Sequence, residues 1–196
     1  MANLRCFLGV IGSGKDYQSK KFLSDAKAFG YKMEQVNFAD PLREMAWKLL
    51  SWEPKNAEEY EQFKNGFVAT YTNDKYFQSI TGRQYLQNLG TTMREIDPNF
   101  WAKRWADKTR KLLEEGIHVV CSDLRYPNEL IEAFMLAQCY TKSANEAFLF
   151  CDYRSERYEP DNEHSSEHLA QRILKDGYRD GQALGLEYLA SLMKIK

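Results

Sequence analysis

The chain has 196 residues, 43% of them hydrophobic, which suffices for one cored domain with room for a small insertion. Its 27 basic and 28 acidic residues leave a net charge of −1, so there is no global pull toward nucleic acid or an anionic membrane, and the balance argues against a duplex-DNA substrate. No apolar run approaches the roughly 20 residues of a membrane span, and "MANLRCFL" lacks the long apolar stretch of a signal peptide.

"LRCFLG" predicts a buried strand, and Lys15 to Phe29 a helix with Phe22, Ala26 and Phe29 on one face. Gly30 stops that helix, because glycine takes the left-handed conformation at low cost. "MEQVNFA" predicts a second strand ending at Asp40-Pro41, and "PLREMAWKLL" opens a helix with proline tolerated in its first turn. Ser51 to Ser79 is polar, aromatic and irregular, and reads as helices and loops. "TGRQYLQNLGT" reads as a short helix closed near Gly90.

"DPNFWAKRWADKTRKLLEEG" is the clearest helix: Asp97 caps it, Pro98 opens it, Gly116 ends it, and Trp101, Trp105 and Leu112 share its apolar face. "IHVVCSD" is a third strand, apolar almost throughout, as expected when both faces are covered. A helix follows over about Asn128 to Ala137, then a fourth strand in "EAFLFCDY". A charged loop, Arg154 to Glu163, leads to a helix near Glu167. "RILKDG" reads as a fifth strand and Leu184 to Met193 as a closing helix. Strands alternating with helices predict a three-layer α/β fold around a mostly parallel sheet flanked by helices. The four cysteines, Cys6, Cys121, Cys139 and Cys151, form no C-x-x-C pair and read as reduced thiols, mostly buried, in a cytoplasmic protein.

Chemistry concentrates first in "GVIGSGKD". The spacing Gly9-x4-Gly14-Lys15 matches a phosphate-binding loop, placed between a buried strand and a helix start. Gly12, Ser13 and Gly14 would turn successive backbone N–H groups toward phosphate oxygens. The helix start from Lys15 through Asp16 and Tyr17 would add its positive end, and the Lys15 ammonium would bridge the outer phosphates of ATP. Asp16 stands where the usual motif has Ser or Thr. A carboxylate beside a triphosphate calls for an intervening cation, so Asp16 is expected to hold Mg²⁺, directly or through water. The same charge also suits a helix N-terminus electrostatically.

The second concentration is "SDLR". Asp123 ends a strand, where open α/β sheets gather ligands, and can reach the metal or its waters. Arg125 offers a planar fork to a phosphate. The bland alternative makes Asp123 a turn or capping residue. Arg154 and Arg157, just after the fourth strand, are candidates for a closing lid over about 153–168 that would exclude water during phosphoryl transfer. A solvated charged loop is the alternative there.

"SGKD", "FADPLRE", "TGRQYLQNLGT", "DPNFWAKR", "SDLRYPNEL" and "HSSE" together resemble the deoxynucleoside monophosphate kinases of bacteriophages. "SGKD" and the Asp-x-Arg pattern are also similar to the phosphomevalonate kinases; "GRQYLQNLGT" favours the nucleotide kinases. The resemblance implies a single P-loop kinase domain over residues 1–196, with a helical acceptor-binding insertion at about 40–115. It implies transfer of the γ-phosphoryl group of ATP to a deoxynucleoside monophosphate, giving the diphosphate and ADP. It also implies Mg²⁺, a homodimer, and a cytoplasmic setting (the host cytoplasm if phage-encoded). By matching positions, Arg83, Gln87 and Thr91 fall in the monophosphate-binding block, Trp101 matches a site-lining tryptophan, Asp40 and Arg43 border the acceptor pocket, and Glu129 matches an acidic position that orients Arg125. "LAQCYTKSANEAFLF" and "ILKDGYRDGQALGLEYL" follow the family pattern only loosely.

Rival readings are another small-molecule or DNA-base kinase with the same loop, a nucleotide-binding regulatory module, and a zinc hydrolase. The last rests on "HSSEH", His164 to His168, which fits H-x-x-E-H with Glu167 as base. Arg83, Arg94 and Arg125 add phosphate-reading side chains beyond the loop, which favours an enzyme with a second substrate over a regulatory module.

Overall fold

The computed structural model describes residues 2–10, 12–71, 77–142, 144–151, 168–179 and 181–193. Their elements are, in chain order, β1 (Leu4–Leu8), α1 (Lys15–Ala28), β2 (Met33–Gln35), α2 (Asp40–Leu50), α3 (Ala57–Asn65), β3 (Phe67–Tyr71), β4 (Phe77–Thr81), α4 (Gly82–Ile96), α5 (Phe100–Glu114), β5 (His118–Leu124), α6 (Pro127–Tyr140), a 3-10 turn (Ala144–Ala147), β6 (Phe148–Phe150), α7 (His168–Lys175), β7 (Gln182–Ala183) and α8 (Leu186–Met193). No helix among the described residues is long and apolar enough to cross a membrane. The chain divides into two compact units, Met1–Phe38 with Ala102–Lys196, and Ala39–Trp101.

The first unit is an α/β fold built on a sheet of order β2-β5-β1-β6-β7. The first four strands run parallel, and β7 pairs antiparallel with β6. Side chains alternate across the sheet, as a pleated strand requires. Leu4, Cys6, Leu8, Val119 and Cys121 share a core with Ala102, Trp105, Leu130, Ala133, Ile173 and Leu189 from α5 to α8. Phe7 and Val120 pack on the other side with Met33 and with Phe22, Leu23 and Ala26 of α1. Helices thus cover both faces, which is why β1 and β5 are nearly continuous apolar runs. Trp105 is fully buried, stacks on Phe38 at 4.0 Å, and donates its indole N–H to the Val36 carbonyl at 2.9 Å. Its one polar atom is satisfied, as a buried indole needs.

The ladder of β2 ends at Gln35, short of the "MEQVNFA" strand that the sequence predicts. Side chains take over the ladder beyond it. Asn37 Oδ1 accepts the backbone N–H of Ser122 at 3.0 Å, and Asp123 Oδ1 accepts the backbone N–H of Phe38 at 2.7 Å. Gln35 Nε2 completes the group by donating to Ser122 Oγ at 3.1 Å.

"RILKDG", read as a strand, lies instead within α7 and the turn after it. Leu169, Ala170 and Ile173 recur at helical spacing and are buried on one face. The helix closes where Gly177, at φ +88°, donates its N–H to the Leu174 carbonyl. The last sheet strand is the two-residue β7, too short to leave a periodic signal.

The second unit packs α2, α3 and α4 around Ala46, Trp47 and Leu86, with Tyr60, Phe63 and Leu89 against them. Within residues 51–79, α3 is the expected kind of element, but β3 and β4 form an antiparallel hairpin where loops were expected. Helix α4 starts on a capping box, Gln84 N–H to Thr81 Oγ1 at 3.2 Å and Thr81 N–H to Gln84 Oε1 at 2.9 Å. It runs through Gly90 to Ile96 instead of closing at Gly90, because the buried glycine is a packing position against Leu42. The second unit ends at Trp101, earlier than the sequence-based boundary near 115, because Ala102, Trp105, Ala106 and Leu113 of α5 join the core of the first unit.

Phe148 is fully buried at the centre of the larger core. Phe148→Ala is expected to lower unfolding free energy by about 3–5 kcal/mol, read as a lower urea midpoint at unchanged slope.

Candidate functional site

Strand β1 lies between β5 and β6. The chain leaving β1 enters α1 on one face of the sheet; the chain leaving β5 enters α6 on the other. Adjacent parallel strands whose connections part in this way open a crevice at their carboxyl ends, the usual ligand position in open α/β sheets. The segment after β1 runs from Gly9 to the start of α1 at Lys15, while Asp123 and Leu124 close β5 and Arg125 follows it. Register strengthens the match: Cys6 pairs with Cys121, yet Leu8 pairs with Leu124, so β5 carries an extra residue at Ser122–Asp123. A bulge of this kind re-aims side chains at a strand end.

The loop is made by close backbone approach. A Cβ on Gly9 would stand 2.3 Å from Ser13 Oγ and 2.4 Å from the Cys151 carbonyl oxygen. Gly12 and Gly14 hold φ of +80° and +77°, conformations that other residues rarely adopt. Gly14 caps α1 and, being glycine, supplies no side-chain cap of its own. Ser13 is 1% exposed, and its Oγ has no hydrogen-bond partner among the described residues. Lys15 is 5% exposed, and its ammonium donates back to the Val10 carbonyl at 3.3 Å. A nearly buried ammonium beside a helix N-terminus concentrates positive potential at the loop. Asp16 and Tyr17 are exposed on the first turn of α1. Ser19 is buried and donates to the Asp16 carbonyl at 3.1 Å, which secures that turn.

At the β5 end, Asp123 is half-buried. Its Oδ1 accepts both the Phe38 N–H at 2.7 Å and the Cys121 thiol at 3.4 Å. Burial pushes the Cys121 thiol well above its ordinary value, so the thiol keeps its proton and acts as donor. Asp123 therefore does structural work whatever else it does. Arg125 is exposed. Glu129, 4% exposed, accepts the backbone N–H of Arg125 at 2.8 Å and of Tyr126 at 3.1 Å, capping α6. These bonds hold the main chain at Arg125.

The remaining candidates lie in the second unit. Arg43 pairs with Asp40 at 3.0 Å and donates from Nε to the Tyr60 hydroxyl at 3.3 Å. Arg83, Gln87 and Thr91 are all exposed on α4, four residues apart and hence on one face. Trp101 is 2% exposed, with its indole N–H on the Gly90 carbonyl at 3.0 Å. Arg154, Arg157, the 153–167 part of the expected lid, and His164 to Glu167 of the H-x-x-E-H segment lie outside the described residues.

Sequence reasoning did not find Gln35, Asn37 and Ser122, which brace the Asp123 end of the crevice. Their signal was polar residues inside otherwise apolar strand runs, "QVN" and "VCSD". No protein-family model and no curated protein sequence matches the chain.

Gly9→Ala forces the loop to shift, since both near atoms belong to packed backbone or a buried side chain. The variant is expected to lose about 1–3 kcal/mol of stability, seen as a lower thermal midpoint, with weakened binding of inorganic triphosphate by calorimetry.

Proposed function

We propose that the protein is an ATP-dependent kinase whose acceptor is a deoxynucleoside monophosphate. The observation that carries the donor half of this reading is the loop at the end of β1. Gly12 and Gly14 hold positive φ where the loop meets the start of α1, and the loop pairs an orphaned buried hydroxyl with a buried ammonium. An orphaned polar atom in such a loop is satisfied by an oxygen-rich anion, and a polyphosphate tail supplies several. Asp123 and Arg125, at the end of the neighbouring strand, add a carboxylate and a cation on the side where a transferring phosphoryl group would lie. Phosphoryl transfer asks the protein chiefly to align two charged substrates and offset charge on the moving oxygens.

Mg²⁺ belongs to the same reading. Among the described residues no group of three or more His, Cys, Asp or Glu side chains gathers. Carboxylates of Asp16 and Asp123 suit a hard cation that takes most of its remaining ligands from phosphates and water. When bound, the ion would lower the negative charge that repels an incoming phosphate.

The acceptor half rests on the resemblance of "GRQYLQNLGT" to the bacteriophage deoxynucleoside monophosphate kinases. Arg83, Gln87 and Thr91 form an exposed polar stripe on α4, and Asp40 with Arg43 supplies a second polar pair in the same unit. The homodimer and the cytoplasmic setting come with that resemblance.

The test is a panel of the four deoxynucleoside monophosphates with ATP and Mg²⁺, followed by ADP release. At least one acceptor is expected to give turnover, and ADP from none of them rejects the acceptor assignment. Lys15→Met is expected to cut turnover by about 10²–10³-fold or more while leaving circular dichroism and the thermal midpoint close to wild type. Turnover retained in that variant removes the loop from the mechanism.

A further inference from the structure

The opposite end of the same sheet holds a second concave site. A cavity of about 420 Å³ opens where β1, β2 and β5 begin, beside the carboxyl end of α1. Its walls are Phe22, Ala26 and Phe29 of the α1 segment together with Tyr31 and Met33. Phe29 and Tyr31 are 82% and 57% exposed, aromatic surface that a ligand would remove from water. The volume lies in the range of small-molecule sites and exceeds what a single ring needs.

Four polar residues line this cavity: Asn3, Arg5, Asp25 and His118. The Arg5 guanidinium is already engaged, donating to the Glu146 carbonyl and lying 5.5 Å from the centroid of Phe22. Its remaining N–H groups stand beside His118 as further donors, while Asp25 supplies the acceptor. His118 Nδ1 accepts the backbone N–H of Asn3 at 3.0 Å. The ring proton of the neutral imidazole therefore sits on Nε2, a donor. The Tyr31 ring stands at 81° to it, 5.5 Å away, making an aromatic corner. Asp25 offers carboxylate acceptors. One cation and one anion line the cavity, so its charge is balanced and it has no net preference for an ion.

We propose that this cavity binds a small, uncharged heteroaromatic ring that presents a hydrogen-bond acceptor to His118 and a donor to Asp25, stacked among Phe22, Phe29 and Tyr31. The lactam edge of a pyrimidine-like base is the simplest such group. Burial lowers the His118 pKa from its ordinary value, which keeps the ring neutral at pH 7 and its donor pattern fixed.

The experiment uses the full-length chain, labelled with ¹⁵N and free of nucleotides, titrated separately with 2-pyridone, toluene and tetramethylammonium. Without ATP or a phosphorylated acceptor present, the outcome stands apart from that of the kinase assay. 2-Pyridone is expected to move the amide signals of Asn3, Ala26, Tyr31 and His118 with a dissociation constant on the order of 1 mM, as a fragment of its size allows. Toluene and tetramethylammonium are each expected to bind about five-fold more weakly. Phe29→Ala, at a position too exposed to threaten the fold, should weaken 2-pyridone about five-fold, and Ala26→Trp should fill the cavity and abolish the shifts. Absence of shifts up to the solubility limit overturns the proposal. So does equal binding of toluene or of the cation, and so does binding that neither variant weakens.

Discussion

Parallel pairing of β1 with β5 is the constraint from which the rest of the molecule follows. Both strands are covered on both faces, so Leu4, Cys6, Phe7, Leu8, Val119, Val120 and Cys121 are all buried. Each larger apolar side chain among them contributes roughly 1.5–3 kcal/mol when removed from water. That stabilisation is indifferent to what happens beyond the strand ends. The chain can then spend the Gly9–Gly14 segment on positive-φ glycines, an orphaned hydroxyl and a buried ammonium without risking the fold. Pairing also decides where those features lie. Because α1 and α6 leave neighbouring strands toward opposite faces, the two strand ends lie side by side at the switch point where open α/β sheets place ligands.

Side chains that replace main-chain ladder bonds have a second consequence. Asn37 and Asp123 end the β2–β5 pairing by taking the N–H groups of Ser122 and Phe38. Asp123 is thereby both a fold residue and the obvious candidate for catalysis. Removing its carboxylate would leave the Phe38 N–H without its acceptor, a cost of about 1–3 kcal/mol, and any loss of activity would be ambiguous. Lys15 probes function through its charge, which is what the proposed chemistry would use.

The same distinction explains what could be read from the residues alone. β1, β5, α1 and α5 were legible because their signals repeat over many residues, as continuous apolar strands or as a capped amphipathic helix. The turn after β1 was legible because glycine spacing is a backbone requirement written in sequence. Elements decided by tertiary partners were not. β2 stops early because Asn37 finds Ser122 across the sheet. α7 looks strand-like until Leu169 and Ile173 are seen to bury one helical face. The hairpin of β3 and β4 did carry β-branched and aromatic residues, "FVATY" and "FQSIT", but its polar surroundings hid the alternation. Trp101, matched to a site by resemblance, is buried with its indole N–H on the Gly90 carbonyl.

A parallel sheet has chemically distinct ends, and this chain differentiates both. At the carboxyl end, backbone amides and a buried lysine favour an anion, and the carboxylates call for a cation beside it. At the amino end, aromatic rings and a neutral imidazole suit an uncharged ring. β5 links them, running from His118 to Leu124. At about 3.3 Å per residue a strand of that length separates its ends by roughly 20 Å, beyond the Debye length of about 8 Å at physiological salt. Two small ligands could be bound together without touching, and charge at one end would be largely screened from the other. Any dependence of one site on the other would have to pass through the packing of β1 and β5 themselves. Those strands are the best-buried part of the molecule and so the part least able to shift. Independence of the two ends is therefore the physical expectation.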